Sequence, residues 1–211
     1  MKTGIHIRPA APEDGALAAS LILSTGPDLF DFVFYRNTQK NLDLIDRLFA
    51  EDTNSFSHSC AYMAERGDRP AGLVHVVDYE EKQLGNRTLG GSLIRQMGWF
   101  AFIIRTPRFL IVDRLIPEIG KNAYYIQHLA TRERFRGQGI GRSLLEFCEA
   151  QAVGRRLGCL MLDVESANTA AIGLYQSFGF TITRKISSRV FRRKYNFEGL
   201  YRMVKEIKKI P

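Results

Sequence analysis

The segment Arg136-Gly137-Gln138-Gly139-Ile140-Gly141 limits what this chain can fold into more than any other. It follows a strand-like apolar run over residues 124–130 and opens a helix-like run over 142–157. Glycine lets the backbone turn tightly and leaves no side chain between its amides and a ligand. The first amides of a helix lack an internal partner, and the helix dipole favours an anion beside them. A strand, a glycine turn and a helix start therefore make a place for a diphosphate or a similar group. The two standard phosphate loops do not fit. A P-loop needs lysine and then serine or threonine after its last glycine, whereas Gly141 is followed by Arg142-Ser143. A dinucleotide loop needs G-x-G-x-x-G and an acidic residue about 20 positions on, whereas Gly137, Gly139 and Gly141 alternate.

The 211 residues can bury a full core and read as one domain, 1–211. The first ten residues carry His6, Arg8 and Pro9 and no long apolar run, unlike a secretory signal. Cys60, Cys148 and Cys159 are odd in number and far apart. They give neither a disulfide framework nor a zinc spacing, so no metal is expected and a cytoplasmic, reducing location follows. Their apolar surroundings mark them as small core residues. The net charge is +8, with Arg184, Lys185, Arg189, Arg192, Arg193 and Lys194 crowded together. Few aromatics interleave with that cluster, so it reads as a solvated hairpin on a protein with a polyanionic ligand, ahead of a nucleic-acid surface.

Upstream, residues 5–8 alternate as a short strand. Pro12-Glu13-Asp14 suits a helix start, and that helix runs to Ser24 before Gly26-Pro27 breaks it. A second helix over 39–50 puts Leu42, Ile45, Leu48 and Phe49 on one face. Strands over 59–65 and 71–79 flank the turn Arg66-Gly67-Asp68-Arg69-Pro70 and form a hairpin. Residues 82–123 are the irregular part. There 84–97 is partly helical, and 98–112 is very apolar, with Trp99, Phe100, Phe102, Ile103, Ile104 and Phe109. Arg105, Pro107 and Arg108 divide this run, so it is too short to span a membrane. It reads as a helical insertion packed on the core, with an interface or a lid as alternatives. Beyond the glycine turn come a helix, a strand over 159–164, a helix over 169–178, and strands over 180–187 and 199–207. That order predicts an α/β mixed sheet with helices on its faces.

A second constellation lies at 168–180. Asn168 can cap a helix, Phe178-Gly179-Phe180 can end it, and Tyr175 stands two helical turns beyond Asn168 on the same side. Together with the glycine turn, it resembles the GCN5-related N-acetyltransferase (GNAT) superfamily. Arg136 to Gly141 matches that family's R/Q-x-x-G-x-G/A motif, and the register placing Leu144-Leu145 in the helix favours Arg136 over Arg134 as its first residue. The segment 168–180 is similar to the family's N-x-x-A-x-x-L-Y-x-x-x-G-F stretch. The likeness is sharp over 124–180, and 5–79 fits the expected β-α-α-β-β opening only in order. The insertion at about 82–123, between strands 3 and 4, departs from the simplest family pattern.

The resemblance implies a central mixed, mostly antiparallel sheet of six to seven strands whose fourth and fifth strands splay apart around coenzyme A. Its diphosphate would meet the amides of Gly137, Gln138, Gly139, Ile140, Gly141 and Arg142, with Arg136 and Arg142 adding charge. The pantetheine arm would pair with Leu129, Ala130 and Thr131, Asn168 would hydrogen-bond it and Ala171 would line its path. The implied reaction moves an acetyl group from acetyl-CoA to a primary amine. Tyr175 is then the candidate acid for the departing thiolate, since a phenol is protonated at neutral pH. The amide of Leu129 or a neighbour is the oxyanion donor. His128, beside the expected bulge, is the candidate base. Strand alternation puts Gln127 and His128 on opposite faces, and Glu80 and Glu81 are alternative bases. The acceptor is a small amine or a protein or peptide amine, and a homodimer stays open. Two other functions remain in view: an acyl-CoA sensor without turnover, and nucleic-acid binding through the basic cluster.

Overall fold

The computed structural model describes residues 4–116, 118–187 and 198–207. Its strands are β1 (Ile5–Pro9), β2 (Ala61–Arg66), β3 (Arg69–Val77), β4 (Ala123–Thr131), β5 (Cys159–Glu165), β6 (Thr181–Ile186) and β7 (Leu200–Glu206). They form one sheet in the order β1-β2-β3-β4-β5-β7-β6. Among the described residues, only β4 and β5 run parallel. Those two strands are joined through a helix, the crossover that a parallel pair requires. The expected hairpin is β2–β3.

Helices cover both faces. On one lie α1 (Gly15–Ser24), α2 (Pro27–Val33), α3 (Thr38–Phe49), α4 (Tyr79–Met97) and α5 (Trp99–Leu115); on the other lie α6 (Ile140–Gly154) and α7 (Thr169–Ser177). In α3, Asn37 caps the start by accepting from the Lys40 amide at 3.0 Å. Leu44, Ile45, Leu48 and Phe49 are buried against the first face. Each such side chain contributes about 1.5–3 kcal/mol. Leu44 takes the core position expected of Leu42, which is only half-buried.

The structure corrects the sequence reading in two places. The break at Gly26-Pro27 is real but brief, because Pro27 opens the short helix α2. Its fixed φ and missing N–H suit the first helical position. The expected helical insertion between β3 and β4 is present as two helices of 19 and 17 residues, hinged at Gly98 with φ +82°. The first starts earlier than expected, because Asp78 and Glu81 form a capping box with both bonds at 2.9 Å. That box ends β3 at Val77. Packing is one-sided in α5. Phe102, Phe109 and Val112 meet the core, while Trp99 and Phe100 are 63% and 79% exposed. Arg105 and Arg108 tie α5 to α2 by donating to the Phe34 and Phe32 carbonyls at 2.5 and 3.3 Å.

Arg184 and Lys185 sit on the exposed edge strand β6, where charges discourage edge-to-edge pairing. Arg189, Arg192, Arg193 and Lys194 lie outside the described residues. Among the described residues, no single helix is long and apolar enough to cross a membrane.

Candidate functional site

The site forms where β4 loses its partner on one side. Residues 123–126 of β4 pair with 159–162 of β5 and the ladder then stops. Beyond Ile126, β4 stays paired with β3 as far as Thr131 opposite Gly72, so one edge of Leu129, Ala130 and Thr131 faces no strand. Gly72 permits the crowding here. A Cβ on it would lie 2.8 Å from the Ala130 carbonyl oxygen and 2.9 Å from Ile140. The first turn of α6 therefore sits directly beside the end of β4.

That first turn is the glycine segment. Gly137 and Gly139 adopt φ of +71° and +85°, and Gly139 precedes α6 in a left-handed conformation. Their use is geometric, since L-residues pay to stand there. The Ser143 amide donates to the Gly139 carbonyl at 3.0 Å as the helix begins. Among the described residues, none of the amides of Gly137, Gln138, Gly139, Ile140, Gly141 and Arg142 donates to a protein acceptor outside that helix's own ladder. A Cβ on Gly137 or Gly139 would meet nothing within 4 Å, so the space over the turn is open. Arg136 and Arg142 are exposed beside it, 4.0 Å from Glu133 and 3.2 Å from Glu146. Arg66 hydrogen-bonds Gln138. Such exposed pairs are weak and leave the arginines free to turn towards an anion.

The helix α7 closes on this corner. A Cβ on Gly141 would stand 3.0 Å from Leu174 of α7 and 3.8 Å from Thr131 of β4. Asn168 caps α7, its Oδ1 accepting from the Ala171 amide at 3.1 Å. Gly179 ends that helix at φ +99°, as expected. Tyr175 is 7% exposed and packs on Phe180. Its hydroxyl has no hydrogen-bond partner among the described residues. It is also not one of the buried orphaned groups, which are Tyr124 Oη and Ser166 Oγ. The hydroxyl is therefore not fully enclosed. Burial, and then Cys148, push the phenol up to about 12.

On the other face, the expected β-bulge is present, and it overturns the placing of Gln127 and His128 on opposite faces. His75 lies opposite His128 while Val76 lies opposite Ile126, so Gln127 is an extra residue. A bulge puts two residues against one and breaks the period of two. Gln127 and His128 consequently share one cavity rather than facing apart. The Gln127 side-chain amide donates to the Ser55 carbonyl at 3.1 Å and to His75 Nδ1 at 2.9 Å, while His75 Nε2 donates to the Ser57 carbonyl at 3.0 Å. These partners fix the His75 tautomer, and full burial lowers it to about 4.

His128 is fixed differently. Thr25 Oγ1 gives its proton to the Ile22 carbonyl at 2.7 Å, so it accepts from His128 Nδ1 at 2.9 Å. The Nε2 lone pair is left without a partner among the described residues. Phe56 stacks on the ring at 6.1 Å and Phe30 lies at 6.0 Å. Burial first, then His75 and Lys82, hold this imidazole down to about 3. It is neutral throughout the physiological range.

The cavity in front of Gln127 and His128 has a volume of about 920 Å³ and is walled by α2, α4 and α5. One face of the insertion thus does line a pocket, through Phe102 and Phe109, while Trp99 turns outward. Neither Glu80 nor Glu81 lines this cavity. Glu80 is exposed in the first turn of α4, and Glu81 is held by its cap and by Arg155 at 2.8 Å. Of the cysteines only Cys148 is a core residue as expected, while Cys60 and Cys159 are half-buried; burial raises all three thiols. Sequence reasoning missed Thr25, Phe30, Phe56 and Lys82. Thr25 meets His128 across 103 positions, and no local pattern signals that.

Known proteins resemble this chain in sequence and in fold. The chain is 32% identical over 78 residues to acetyltransferase Atu2258 of Agrobacterium fabrum, covering 37% of this chain and 56% of that one. It is 35% identical over 57 residues to a streptothricin acetyltransferase of Escherichia coli, covering 27% and 33%. It therefore spans between a third and just over half the length of these relatives. A crystal structure described as an acetyltransferase superimposes with a TM-score of 0.70 over 96% of this chain and 100% of that one, at 24% identity. The model of the "Acetyltransferase (GNAT) family" matches residues 27–180, and the chain belongs to that family.

Proposed function

We propose that this protein is an N-acetyltransferase that moves an acetyl group from acetyl-CoA to a primary amine. One observation carries this: the unpaired amides of the α6 first turn lie beside the open edge of β4. A long cofactor with a diphosphate at one end and an amide-bearing arm needs those two features together. The donor set fits such a group. Main-chain N–H groups at a helix N-terminus, glycines with open space above them and nearby arginines all favour phosphate.

In this reading the amides from Gly137 to Arg142 hold the diphosphate, with Arg136 and Arg142 beside it. Leu129, Ala130 and Thr131 offer backbone groups to the arm, Ala171 borders it and the Asn168 side-chain amide donates to it. Acetyl-CoA supplies an activated acyl carbon and a thiolate leaving group. An amide at or next to Leu129 donates to the carbonyl oxygen as charge grows there. Tyr175 keeps its proton at neutral pH and donates a hydrogen bond towards the leaving sulfur. His128 presents a lone pair from a fixed tautomer. At about 3 it cannot strip an alkylammonium of about 10. The amine therefore enters neutral, and His128 orients it and takes its proton only as the new bond forms.

Calorimetric titration with coenzyme A, followed by thiol release from acetyl-CoA with an amine panel, tests this. Heat of binding and amine-dependent thiol are expected. Tight binding without thiol from any amine would instead identify a sensor, and no binding at all would remove the cofactor assignment.

A further inference from the structure

The cavity has a chemical character that narrows the acceptor. A chain of aromatic rings runs from the β4 bulge into the insertion. His128 meets Phe30 and Phe56, both meet Phe34, Phe34 meets Phe109 at 5.6 Å, and Phe109 meets Phe102 at 6.3 Å. Facing the bulge is one cation, Lys82 of α4. Its Nζ lies 3.4 Å from Gln127 Oε1 and 4.7 Å from the centre of the Tyr125 ring. Among the described residues it makes no ion pair. The nearby carboxylate of Asp163 is already taken, by Arg202 at 2.7 and 2.9 Å and by the Tyr125 hydroxyl at 2.9 Å. The other charged groups lining the cavity, Arg87, Asp113, Arg114 and Glu118, are exposed. The inner wall therefore carries a positive charge in an apolar setting, beside Gln127 and its neighbour His128; of the two carboxylates that act on it, Asp163 is already paired and Asp113 is exposed.

We infer that the acceptor is an amine that also carries a carboxylate close to its nitrogen and an aromatic or branched apolar body, with Lys82 as the residue that selects the carboxylate. This rests on the transferase reading above. Desolvation brings the Lys82 ammonium down to about 8, so it is still a cation at pH 7 and an incoming carboxylate stabilises it. A cavity of about 920 Å³ holds a small molecule and its side chain. Polycations meet the wrong charge at the inner wall. In the reaction, the amine nitrogen bonds to the acetyl carbon and the carbon–sulfur bond breaks with its electron pair on sulfur. One proton passes from nitrogen to sulfur. The products are the N-acetylated amino-carboxylate and the free thiol of coenzyme A.

The test uses matched pairs in the thiol-release assay: L-phenylalanine against phenethylamine, L-leucine against isopentylamine, and spermidine as the polycation. The wild-type protein should favour each carboxylate member by tenfold or more in kcat/KM, with the gain mainly in KM. In Lys82→Met that ratio should fall towards one, and Lys82→Arg should keep most of it, because arginine binds a carboxylate but does not act as a base. Thermal melts of both variants confirm that they fold. Equal or better kcat/KM for the plain amines overturns the inference alone. So does a Lys82→Arg protein as impaired as Lys82→Met in kcat, which would make Lys82 a base. Coenzyme A binding with no thiol from any pair overturns the transferase reading as well.

Discussion

Gly139→Ala separates the grip on phosphate from the rest of the fold. Gly139 stands at φ +85° immediately before α6, and a methyl built there meets nothing within 4 Å. The cost is therefore conformational rather than steric, about 1–2 kcal/mol for an L-residue held in the left-handed region. One kcal/mol lowers Tm by about 2–4 °C in a domain of this size, so a fall of about 2–8 °C is expected. If the turn relaxes instead, the amides around it rotate. A hydrogen bond from an amide to a charged phosphate contributes about 1.5–3 kcal/mol, so losing one weakens coenzyme A about tenfold to a hundredfold. Gly154→Ala is the control. Gly154 ends α6 in open space without a positive φ, and alanine there should add about 0.4–1 kcal/mol of stability. Thermal melts and calorimetric titrations of both variants at two salt concentrations decide the matter. Equal coenzyme A affinity in Gly139→Ala and Gly154→Ala would refute the assignment of the turn as the phosphate site.

Three further outcomes follow from the geometry. Tyr175→Phe should lower kcat well beyond any change in coenzyme A affinity, with less than about 1 kcal/mol lost in stability, because its hydroxyl has no protein partner; a variant with weaker binding and normal kcat would remove Tyr175 as the donor. Arg202→Met should cost about 3–5 kcal/mol, since it strands the Asp163 carboxylate, whose side chain is 4% exposed. Adding Asp163→Leu should recover most of that loss, and a double variant that melts no higher than the single one counts against the buried pair. Stability should also fall with acid. His75 at about 4 and His128 at about 3 lie below the ordinary histidine value of 6.5. Their contribution is complete above pH 6.5 and is lost as pH drops through 6.5 towards those values, because the unfolded chain takes up protons that the folded one refuses. At about 1.4 kcal/mol per unit, this amounts to several kcal/mol by pH 4. Urea midpoints at pH 7 and pH 4.5 should differ less for His128→Gln than for the wild type; identical slopes would mean that His128 protonates freely in the folded state.

What could be read from the sequence was local chemistry. The glycine turn was legible because positive φ and unpaired helix amides depend on a few consecutive residues, 137–142. The start of α7 at Asn168 and its stop at Gly179 were legible for the same reason, and so was the alternating hairpin β2–β3. Where the signal required partners from elsewhere, it failed. The helical character of residues 82–123 was legible, but the bounds of α4 and α5 were not, because each buries only one side, against helices that the segment itself does not encode. The helix α2 hid behind Pro27, which reads equally well as a breaker or as a first turn. Lys82 carried no signal in the sequence, because only the fold brings Tyr125, Gln127 and Arg202 around it.

The bulge at Gln127 was expected from the family resemblance and not from the local sequence. Regular alternation would send Gln127 and His128 to opposite faces, and nothing in the local sequence opposes that. The slip exists only in the pairing of β4 with β3, where Val76 and His75 oppose Ile126 and His128. On the other side of the same strand, β5 lets go after Ile126. A strand that slips against one neighbour and parts from the other at a single point has free backbone groups along its edge there, and two polar side chains on one face. The free edge suits an extended cofactor arm, and the paired side chains suit the group that reacts with it. The two requirements meet at one residue step because a continuous ladder on either side would remove one of them.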